Sequence, residues 1–332
     1  MDKNIKNDIV SSCRVRLARN IEGVPFKGVH GTQAEDIISK AYTTIQDTKK
    51  GNFLLHRIKD MEFLDAKVLQ EKRLISDDLM QNREYGTAVI DDLEQVSVMI
   101  MEEDHFRLQC IMDGLNLKEA YSKLESIDDA LSNSFGYAYD YRLGHLTSCI
   151  TNVGTGIRAG ALLFLPGLSI TQDIAKGINI ASNFKIAIRG YYGEGSSNDG
   201  FFYQISNQCT LGMSEQEIIQ SVTNTINHLA VAELKARQYL LERDSVSLKD
   251  KIGRAYGVLT HAYTLTTKEF MTLIALVKLG VHLGLVKFKE PNKIDKLITD
   301  CQPASIIALS GGKDAAERDV FRAKLAARVL KS

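Results

Sequence analysis

The hydrophobic pattern of the chain changes at about residue 210, and this change limits the folds that the chain can adopt. Before it, alternating apolar and polar residues predict strands at Val96 to Met101, Phe106 to Ile111, Lys185 to Tyr191 and Phe201 to Ile205. After Ser214 the apolar residues recur every three to four positions, as in amphipathic helices. The sequence therefore predicts an α+β unit followed by a helical unit.

Signals for helix starts support this division. Three capping boxes, each a hydroxyl residue followed three positions later by Glu, predict helices that begin at Thr32, Ser214 and Thr266. Two more helices are predicted over Leu117 to Leu131 and Thr171 to Ser182.

The length of 332 residues suits one large domain and one smaller domain. We place the division at residue 236, which gives predicted units of 8–236 and 237–332. Because the chain has only four prolines and no linker rich in glycine and serine, the two units are expected to pack together.

Charge and cysteine usage argue against several functional classes. Lys plus Arg and Asp plus Glu each total 41, so the basic excess of a non-specific nucleic-acid or membrane binder is missing. The five cysteines form no C-x-x-C pair and no zinc-spaced cluster with histidine. The sequence contains neither a recognisable signal peptide nor an apolar run that could span a bilayer. We expect a cytoplasmic protein without nucleic-acid or membrane partners and without a metal site of its own.

Three consecutive carboxylates, Glu102, Glu103 and Asp104, follow one of the predicted strands. If the chain stays extended, Glu103, His105 and Arg107 share one face, so a carboxylate and a guanidinium point the same way. The alternative is an acidic hairpin turn in which Arg107 is the ion-pair partner. The segment taken alone favours this alternative, because runs of charge are usually solvated.

The segment 148–158, SCITNVGTGIR, joins Cys149 to Arg158 through a small polar loop with two glycines. Glycine lets the backbone approach a ligand closely. The glycine spacing fits neither the P-loop nor the dinucleotide-binding fingerprint. A lone cysteine such as Cys149 is more often a small buried residue than a reactive thiol.

Two further segments carry arginines. In 189–197, RGYYGEGSS, a predicted strand enters a glycine-rich turn with Glu194 at its tip. This turn is either a lid over a substrate or an ordinary hairpin loop. Arg14 and Arg16 lie two positions apart and therefore share a strand face, which an exposed edge strand would also explain.

Together these segments supply a cluster of arginine side chains beside two carboxylates and a thiol. Phosphoryl transfer requires mainly positioning and neutralisation of phosphate charge, which guanidinium groups supply through bidentate hydrogen bonds. A guanidinium acceptor, with a pKa above about 12, needs a carboxylate that holds it and accepts its proton. The candidate residues are Arg14, Arg16, Arg107, Arg158 and Arg189 for the phosphates, and Glu103, Glu194 and Cys149 for the acceptor.

These segments resemble motifs of the phosphagen (guanidino) kinase superfamily. That superfamily carries a Glu-Glu-Asp-His-x-Arg turn, a Cys-Pro-Thr-Asn-x-Gly-Thr loop followed by Arg, and an Arg-Gly-x-x-Gly-Glu loop, and counterparts occur here in the same order at 102–107, 149–158 and 189–194. Within the superfamily, the chain is most similar to the bacterial McsB-type protein-arginine kinases, from about Ser11 to the C-terminal region. The resemblance implies a phosphagen-kinase-like catalytic domain with an antiparallel sheet flanked by helices. It also implies transfer of the γ-phosphoryl group of ATP to arginine side chains of proteins.

The resemblance also implies roles for single residues. Glu103 matches the catalytic base, Glu194 the second carboxylate that binds the acceptor, and Cys149 the cysteine that orients it. Mg2+ is expected to arrive with the ATP. The positions that match nucleotide-binding segments are Ser12, Cys13, Arg14, Val15, Arg16, Arg73, Arg107, Arg158, Ala159, Gly160, Ala161, Leu162, Arg189, Gly190, Tyr191, Tyr192, Gly193 and Glu194.

The segment 318–323, RDVFRA, matches the family's Arg-Asp-x-x-Arg-Ala motif. The match implies a regulatory phosphoarginine pocket formed by Arg318, Asp319, Arg322 and Ala323. The alternative is a plain helix whose Arg318 and Arg322 face solvent. By resemblance we also expect a homodimer through the C-terminal half, a zinc-containing activator protein, a repressor among the substrates, and coupling to a Clp protease in the stress response.

Two other functions stay open at this point. In kinases of free arginine or creatine, a helical domain precedes the first arginine motif, whereas here that motif starts at residue 12. We therefore expect an open acceptor site that admits an arginine within a protein. The alternatives are a free-guanidino kinase and a non-catalytic adaptor that binds phosphoarginine.

Four positions depart from the family pattern. Ile150 stands where proline is usual, Met101 replaces asparagine, and Cys13 replaces a serine or threonine near the phosphates. Arg73 occupies the place of a histidine that lies against the adenine, and a guanidinium can also stack on a base. No candidate carboxylate or arginine is lost, so we expect an active enzyme whose nucleotide affinity these changes can alter.

Overall fold

The computed structural model describes residues 8–190, 199–312 and 314–331. In this part of the chain, strands are concentrated before residue 210. They are β1 (Val10–Arg19), β2 (Phe53–Arg57), β3 (Thr87–Asp91), β4 (Val96–Ile100), β5 (Phe106–Asp113), β6 (Tyr139–Asp140), β7 (Gly144–His145), β8 (Ile157–Phe164), β9 (Ile186–Gly190) and β10 (Phe202–Asn207). Eight of them form one antiparallel sheet in the order β2-β3-β4-β5-β1-β8-β10-β9, and β6 pairs with β7.

Helices pack against both faces of this sheet, with a separate apolar cluster on the second face at β3 and β4. In the first two thirds of the chain they are α1 (Gly31–Asp47), α2 (Phe63–Glu71), α3 (Asp77–Gln81), α4 (Leu117–Phe135), α5 (Pro166–Ile170) and α6 (Ile174–Asn183). Short 3-10 turns occupy Ile58–Asp60, Ile150–Asn152 and Asp199–Phe201. The predicted α+β architecture with a flanked antiparallel sheet is confirmed.

The described chain after residue 210 is built from helices and turns. These helices are α7 (Glu215–Arg243), α8 (Ser245–His261), α9 (Thr267–His282), α10 (Asn292–Asp300), α11 (Pro303–Ser310) and α12 (Ala315–Leu330). Residue 236, the predicted domain boundary, lies inside α7, and the division there stays a prediction. No helix in the described ranges has the length and apolar character needed to cross a membrane.

Strand β1 lies at the centre of the sheet and separates its two faces. Cys13, Val15 and Leu17 are fully buried on one face, in a core shared with α1, α4 and the first part of α7. Alternation along the strand places Ser12, Arg14 and Arg16 on the other face. One face of the sheet therefore holds the core, and the other carries arginines.

A second core lies among the C-terminal helices. Phe164 of β8 and Phe202 of β10 extend from the sheet into it, with ring centroids 5.0 Å apart. Helix α7 contributes to both cores, and its buried Glu233 and Arg237 form an ion pair with Nε and Oε1 2.6 Å apart. The two cores are thus joined through the long helix α7 and through strands β8 and β10.

The predicted helix starts are partly confirmed. Ser214 and Glu217 form the capping box of α7, and the Thr266 side chain accepts the Glu269 N–H at the start of α9. The capping box at Thr32 is wrong: α1 begins at Gly31, and its N-terminal residue makes no side-chain cap. The Glu35 carboxylate does not complete the box, because it instead forms ion pairs with Arg57, the last residue of β2, and with Lys59, two residues later.

The helix predicted over Thr171 to Ser182 is present as α6, which begins three residues later than predicted, at Ile174. Gln172 has a left-handed conformation (φ 62°) and separates α6 from the preceding α5. A left-handed residue does not fit an α-helix, so the helix starts only after it.

Candidate active site

A pocket of about 180 Å³ lies on the arginine-bearing face of the sheet. Arg14 and Arg16 of β1 face Gly160 and Arg158 of β8 across the antiparallel register. The pocket is also bordered by Arg73 and Arg189, so residues from four separate segments converge here. The sequence predicted this convergence of guanidinium groups from dispersed motifs.

Close packing of these cations changes their electrostatics. Burial, reinforced by repulsion from Arg73, Arg107 and Arg158, lowers the pKa of Arg14 to about 9. Burial and the neighbouring arginines likewise lower the pKa of Arg16 well below its ordinary value. The Nε of Arg16 is buried and has no hydrogen-bond partner among the described residues. Such a cluster favours an anionic ligand that both neutralises the repulsion and accepts hydrogen bonds.

The arginine pocket continues toward the acidic turn. A neighbouring cavity of about 540 Å³ shares Arg14, Arg16 and Arg73 with it and adds Arg107 and Asp78. A third cavity of about 310 Å³ shares Asp78 and contains Glu103. Because neighbouring cavities share lining residues, the three adjoin one another, and we call them together the arginine groove. It runs from the guanidinium cluster to the carboxylates.

The acidic segment turns instead of staying extended, so the prediction that Glu103, His105 and Arg107 share one face is wrong. Met101 has a left-handed backbone (φ 58°), and residues 101–105 form the turn between β4 and β5. Arg107 forms its ion pair with Glu102, as the hairpin interpretation predicts. The Glu102 carboxylate also accepts bonds from Ser76 Oγ (2.5 Å) and the Glu103 N–H (2.8 Å), so Glu102 holds the turn together.

Glu103 differs from its neighbour. Its half-buried carboxylate makes no hydrogen bond or ion pair with any residue that the structure describes, and it borders the groove. Burial, followed by repulsion from Asp104 and Glu102, raises the pKa of Glu103. A carboxylate with a raised pKa binds a proton more readily, which suits a group that removes a proton from a cationic acceptor.

A buried polar network fixes the backbone that carries Glu103. Asp104 accepts hydrogen bonds from Asn20 Nδ2 (2.6 Å) and the Ser148 N–H (2.7 Å). His105 is 1% exposed, and its Nδ1 accepts the Ile21 N–H at 3.0 Å. Burial lowers the pKa of His105, in agreement with a neutral ring that uses Nδ1 as an acceptor.

The Cys149 loop is attached to the same turn. Ser148 Oγ donates to the carbonyl oxygen of Glu103 at 2.8 Å, which places Cys149 directly after an anchored residue. The Cys149 sulfur lies 3.0 Å from Thr151 Oγ1 and is partly exposed, whereas Cys13, Cys110 and Cys301 are fully buried. Cys149 is therefore not the small buried residue that a lone cysteine usually is, because its loop lies at the surface.

The structure brings most of the sequence-predicted nucleotide positions to the groove, but not all. Val15 and Ala159 are fully buried in the core, because they alternate with the groove-facing arginines of β1 and β8. Cys13 borders the groove, but its side chain belongs to the core and its thiol accepts the Asn116 N–H (3.2 Å). The positions that border the groove are Ser12, Cys13, Arg14, Arg16, Arg73, Arg107, Arg158, Gly160, Ala161, Leu162 and Arg189.

The glycine-rich loop is described only at its start. Arg189 and Gly190 end β9, where Arg189 pairs with Gln204 of β10. Tyr191, Tyr192, Gly193 and Glu194 lie outside the described residues. The role of Glu194 therefore stays a prediction.

Several groove residues were missed in the sequence. Gln109 faces Arg16 across the β1–β5 register, and Gln204 and Ser206 lie on β10 beside the arginine pocket. Gln109 lies two positions after Arg107, so strand alternation could have placed both on one face. Asn20 had no comparable signal, because its partners lie 84 and 126 positions away.

The C-terminal motif lies on α12. Arg322 is 1% exposed and donates to the carbonyl oxygens of Leu265 (2.7 Å) and Cys301 (3.0 Å), besides pairing with Asp319. The alternative in which Arg318 and Arg322 both face solvent is wrong for Arg322, because the carbonyl groups of Leu265 and Cys301 bind its guanidinium. Arg318 is half-exposed, and Ala323 is buried.

Comparison with known proteins identifies the family. The C-terminal catalytic domain of ATP:guanido phosphotransferases matches residues 33–236, and the C-terminal domain of protein-arginine kinase McsB matches residues 245–332. The chain belongs to the protein-arginine kinase family of ATP:guanido phosphotransferases. As a member of this family, the chain is a kinase.

Relatives of the family match along nearly the whole chain. The protein-arginine kinase of Caldanaerobacter subterraneus subsp. tengcongensis is 42% identical over 322 residues, which cover 96% of this chain and 95% of the relative. That of Geobacillus stearothermophilus is 38% identical over 96% of this chain and 89% of its own length.

Solved structures support the phosphagen-kinase-like fold. The duplicated taurocyamine kinase from Schistosoma mansoni, with bound transition-state-analogue components, superposes with a TM-score of 0.62 at 20% identity, covering 95% of this chain and 48% of that one. A lombricine kinase superposes with a TM-score of 0.57 at 24% identity, covering 70% of this chain and 67% of that one.

Proposed function

We propose that this kinase transfers the γ-phosphoryl group of ATP to arginine side chains of proteins. The observation that carries the proposal is the row of adjoining cavities between the arginine cluster and the Glu103 carboxylate, which has no partner among the described residues. A triphosphate bound along the arginines places its terminal phosphate toward Glu103, where an acceptor guanidinium would be held.

The proposed chemistry follows from the charges of the groove. Arg14, Arg16, Arg107 and Arg158 neutralise phosphate oxygens, while the guanidinium of the acceptor binds beside the Glu103 carboxylate. As the acceptor nitrogen forms its bond to the γ-phosphorus, the bond from phosphorus to the β,γ-bridging oxygen breaks and ADP leaves. Glu103 takes the proton that the acceptor nitrogen releases, since a protonated guanidinium has no free electron pair for attack.

Cys149 and Glu194 are proposed as further residues on the acceptor side. Cys149 is attached to the Glu103 turn through Ser148, which supports a role in orienting the acceptor. Glu194 is proposed from its motif alone. Mg2+ is proposed to arrive with the ATP and to neutralise phosphate charge.

A protein acceptor is proposed over free arginine because the relatives are named protein-arginine kinases. The test is to incubate the purified chain with Mg-ATP and an arginine-rich protein, with free arginine as competitor, and to locate phosphate by mass spectrometry. Acid-labile phosphate on arginine side chains, little reduced by free arginine, is the expected result. Efficient turnover of free arginine alone would favour a free-guanidino kinase.

The non-catalytic adaptor is less well supported. It would use Arg318 and Arg322 to bind phosphoarginine without phosphoryl transfer, whereas the relatives are named protein-arginine kinases. A regulatory pocket at Arg318, Asp319, Arg322 and Ala323 stays part of the proposal. Loss of stimulation by free phosphoarginine in Arg318→Ala would support it.

The wider setting is proposed from the family resemblance. It comprises a cytoplasmic homodimer with a catalytic domain at 8–236 and a helical domain at 237–332. It also comprises a zinc-containing activator protein, a repressor substrate and delivery of phosphorylated proteins to a Clp protease. Size-exclusion chromatography with light scattering tests the dimer directly.

A further inference from the structure

Glu71, the last residue of α2, forms the N-terminal cap of α11 in the C-terminal part of the chain. Its Oε1 accepts the Ala304 N–H at 2.7 Å. Its Oε2 accepts the Ser305 N–H at 2.8 Å and the Ser305 hydroxyl at 2.9 Å. One carboxylate therefore makes three hydrogen bonds to residues more than two hundred positions away in sequence.

Helix α11 is suited to an external cap. It begins at Pro303, which has no N–H, and Gln302 just before it provides no side-chain cap. The first available N–H groups are those of Ala304 and Ser305, which lie at the positive end of the helix dipole. Because both residues are buried, these donors would be left without partners if Glu71 were removed.

The same end of α2 enters the arginine groove. Arg73, two residues after Glu71, has a left-handed backbone (φ 64°), and its carbonyl oxygen accepts Gln109 Nε2 at 2.7 Å. Gln302 and Pro303 line the cavity that also contains Arg14, Arg16 and Arg73. The wall of the groove is thus built jointly by the end of α2 and the start of α11.

We infer that Glu71 is a positioning residue that makes the C-terminal helices part of the nucleotide site. With Glu71 in place, α11 is held against α2, and Arg73 stands at a fixed position in the groove. Nucleotide binding and the docking of α11 on α2 then stabilise each other, because both depend on the same end of α2. This inference rests on the proposed nucleotide-binding function of the groove.

The experiment compares wild type with Glu71→Ala, Glu71→Gln and Glu94→Ala. Glu94 is the matched control, because it lies in the exposed turn between β3 and β4 and pairs with Lys72, the residue after Glu71, at 2.7 Å. Mg-ATP affinity is measured by calorimetry, and backbone amide exchange is followed over 303–310 by mass spectrometry, with and without Mg-ATP. Circular dichroism and urea unfolding establish that each variant is folded.

We expect Mg-ATP to slow exchange at the start of α11 in wild type and in Glu94→Ala. In Glu71→Ala, exchange there should be faster without nucleotide and unaffected by it, and Mg-ATP should bind roughly 5- to 20-fold more weakly. Glu71→Gln, which keeps one acceptor oxygen, should lie between. The KM for ATP should rise by a larger factor than kcat falls. A purely structural defect would instead lower the activity without this larger change in KM.

Two outcomes would overturn the inference. If folded Glu71→Ala binds Mg-ATP as wild type does, or if nucleotide protects α11 equally in both, Glu71 has no positioning role, while the proposed kinase function stands. If wild type itself binds no Mg-ATP, the proposed function fails and the inference fails with it.

Discussion

The hydroxyl of Ser148 donates a 2.8 Å hydrogen bond to the carbonyl oxygen of Glu103, and this bond joins the two loops that carry the candidate acceptor site. One loop follows β4 and carries the Glu103 carboxylate, while the other carries Cys149. Their relative position therefore depends on Ser148 and on Asp104, which binds the Ser148 N–H.

Ser148→Ala should lower kcat by about tenfold with little change in the KM for ATP. The reason is that the Cys149 loop is held less firmly against the Glu103 turn, while the arginines that bind ATP keep their positions. The lost hydrogen bond should cost about 1 kcal/mol of unfolding free energy. Steady-state kinetics and urea unfolding measure both effects. Ser148→Thr, which keeps the hydroxyl, should have a kcat close to that of wild type. The control Ser182→Ala, at an exposed position of α6, should change neither kcat nor the unfolding free energy. A Ser148→Thr variant as slow as Ser148→Ala would show that the hydroxyl is not what matters.

Arg16→Gln should stabilise the protein without nucleotide and abolish tight nucleotide binding. The Arg16 side chain is half-buried, its buried Nε has no partner among the described residues, and it lies among other arginines, so its removal relieves repulsion and desolvation. Thermal unfolding with and without Mg-ATP tests this. A lower melting temperature than wild type, with the shift by Mg-ATP retained, would show that Arg16 serves stability and not ligand binding.

Arg237→Met should cost about 3–5 kcal/mol of unfolding free energy, because it leaves the buried Glu233 carboxylate without its ion-pair partner. Burial raises the pKa of Glu233 even with Arg237 present, so the variant should lose less stability at acidic pH, where this carboxylate is protonated. Urea unfolding at two pH values measures this. Arg254→Met, which removes an exposed ion pair with Asp250, should change stability by less than about 0.5 kcal/mol.

Stability should fall as the pH drops below about 6.5, the ordinary histidine pKa in an unfolded chain. Burial lowers the pKa of His145 to about 4 and of His282 to about 3, so the unfolded chain binds more protons in this range. Their contribution is complete above pH 6.5 and is lost on acidification.

His145→Phe is the informative variant for this prediction. The phenyl ring can keep the edge-on packing against Tyr137 and Tyr139, whose centroids lie 5.8 Å and 5.2 Å from the His145 ring, but it cannot be protonated. Urea unfolding at pH 7.5 and 5.5 should show a smaller loss for this variant than for wild type. An equal loss would mean that His145 does not contribute to acid sensitivity.

The sequence predicted the sheet, the helical C-terminal part and the arginine cluster, because each leaves a local pattern. Strand alternation alone places Arg14 and Arg16 on one face, and the capping box at Ser214 forms within four residues. These signals depend only on near neighbours in the chain.

Other features depend on contacts between distant segments. The turn at Met101 is left-handed although the residue is neither glycine nor asparagine, so nothing in the local sequence indicated that Glu102, and not Glu103, pairs with Arg107. The burial of Arg322 depends on carbonyl groups of Leu265 and Cys301, 57 and 21 positions away. Long-range partners of this kind are not visible in one sequence.

At the acidic turn we propose Glu103 as the base, while Glu102 holds the turn together. Single-turnover arginine phosphorylation by Glu103→Gln, with Mg-ATP affinity measured on the same sample, tests this assignment. We expect a loss of at least about a hundredfold in the phosphorylation rate, with Mg-ATP affinity and unfolding free energy close to wild type. Near-normal phosphorylation by folded, nucleotide-bound Glu103→Gln would contradict it.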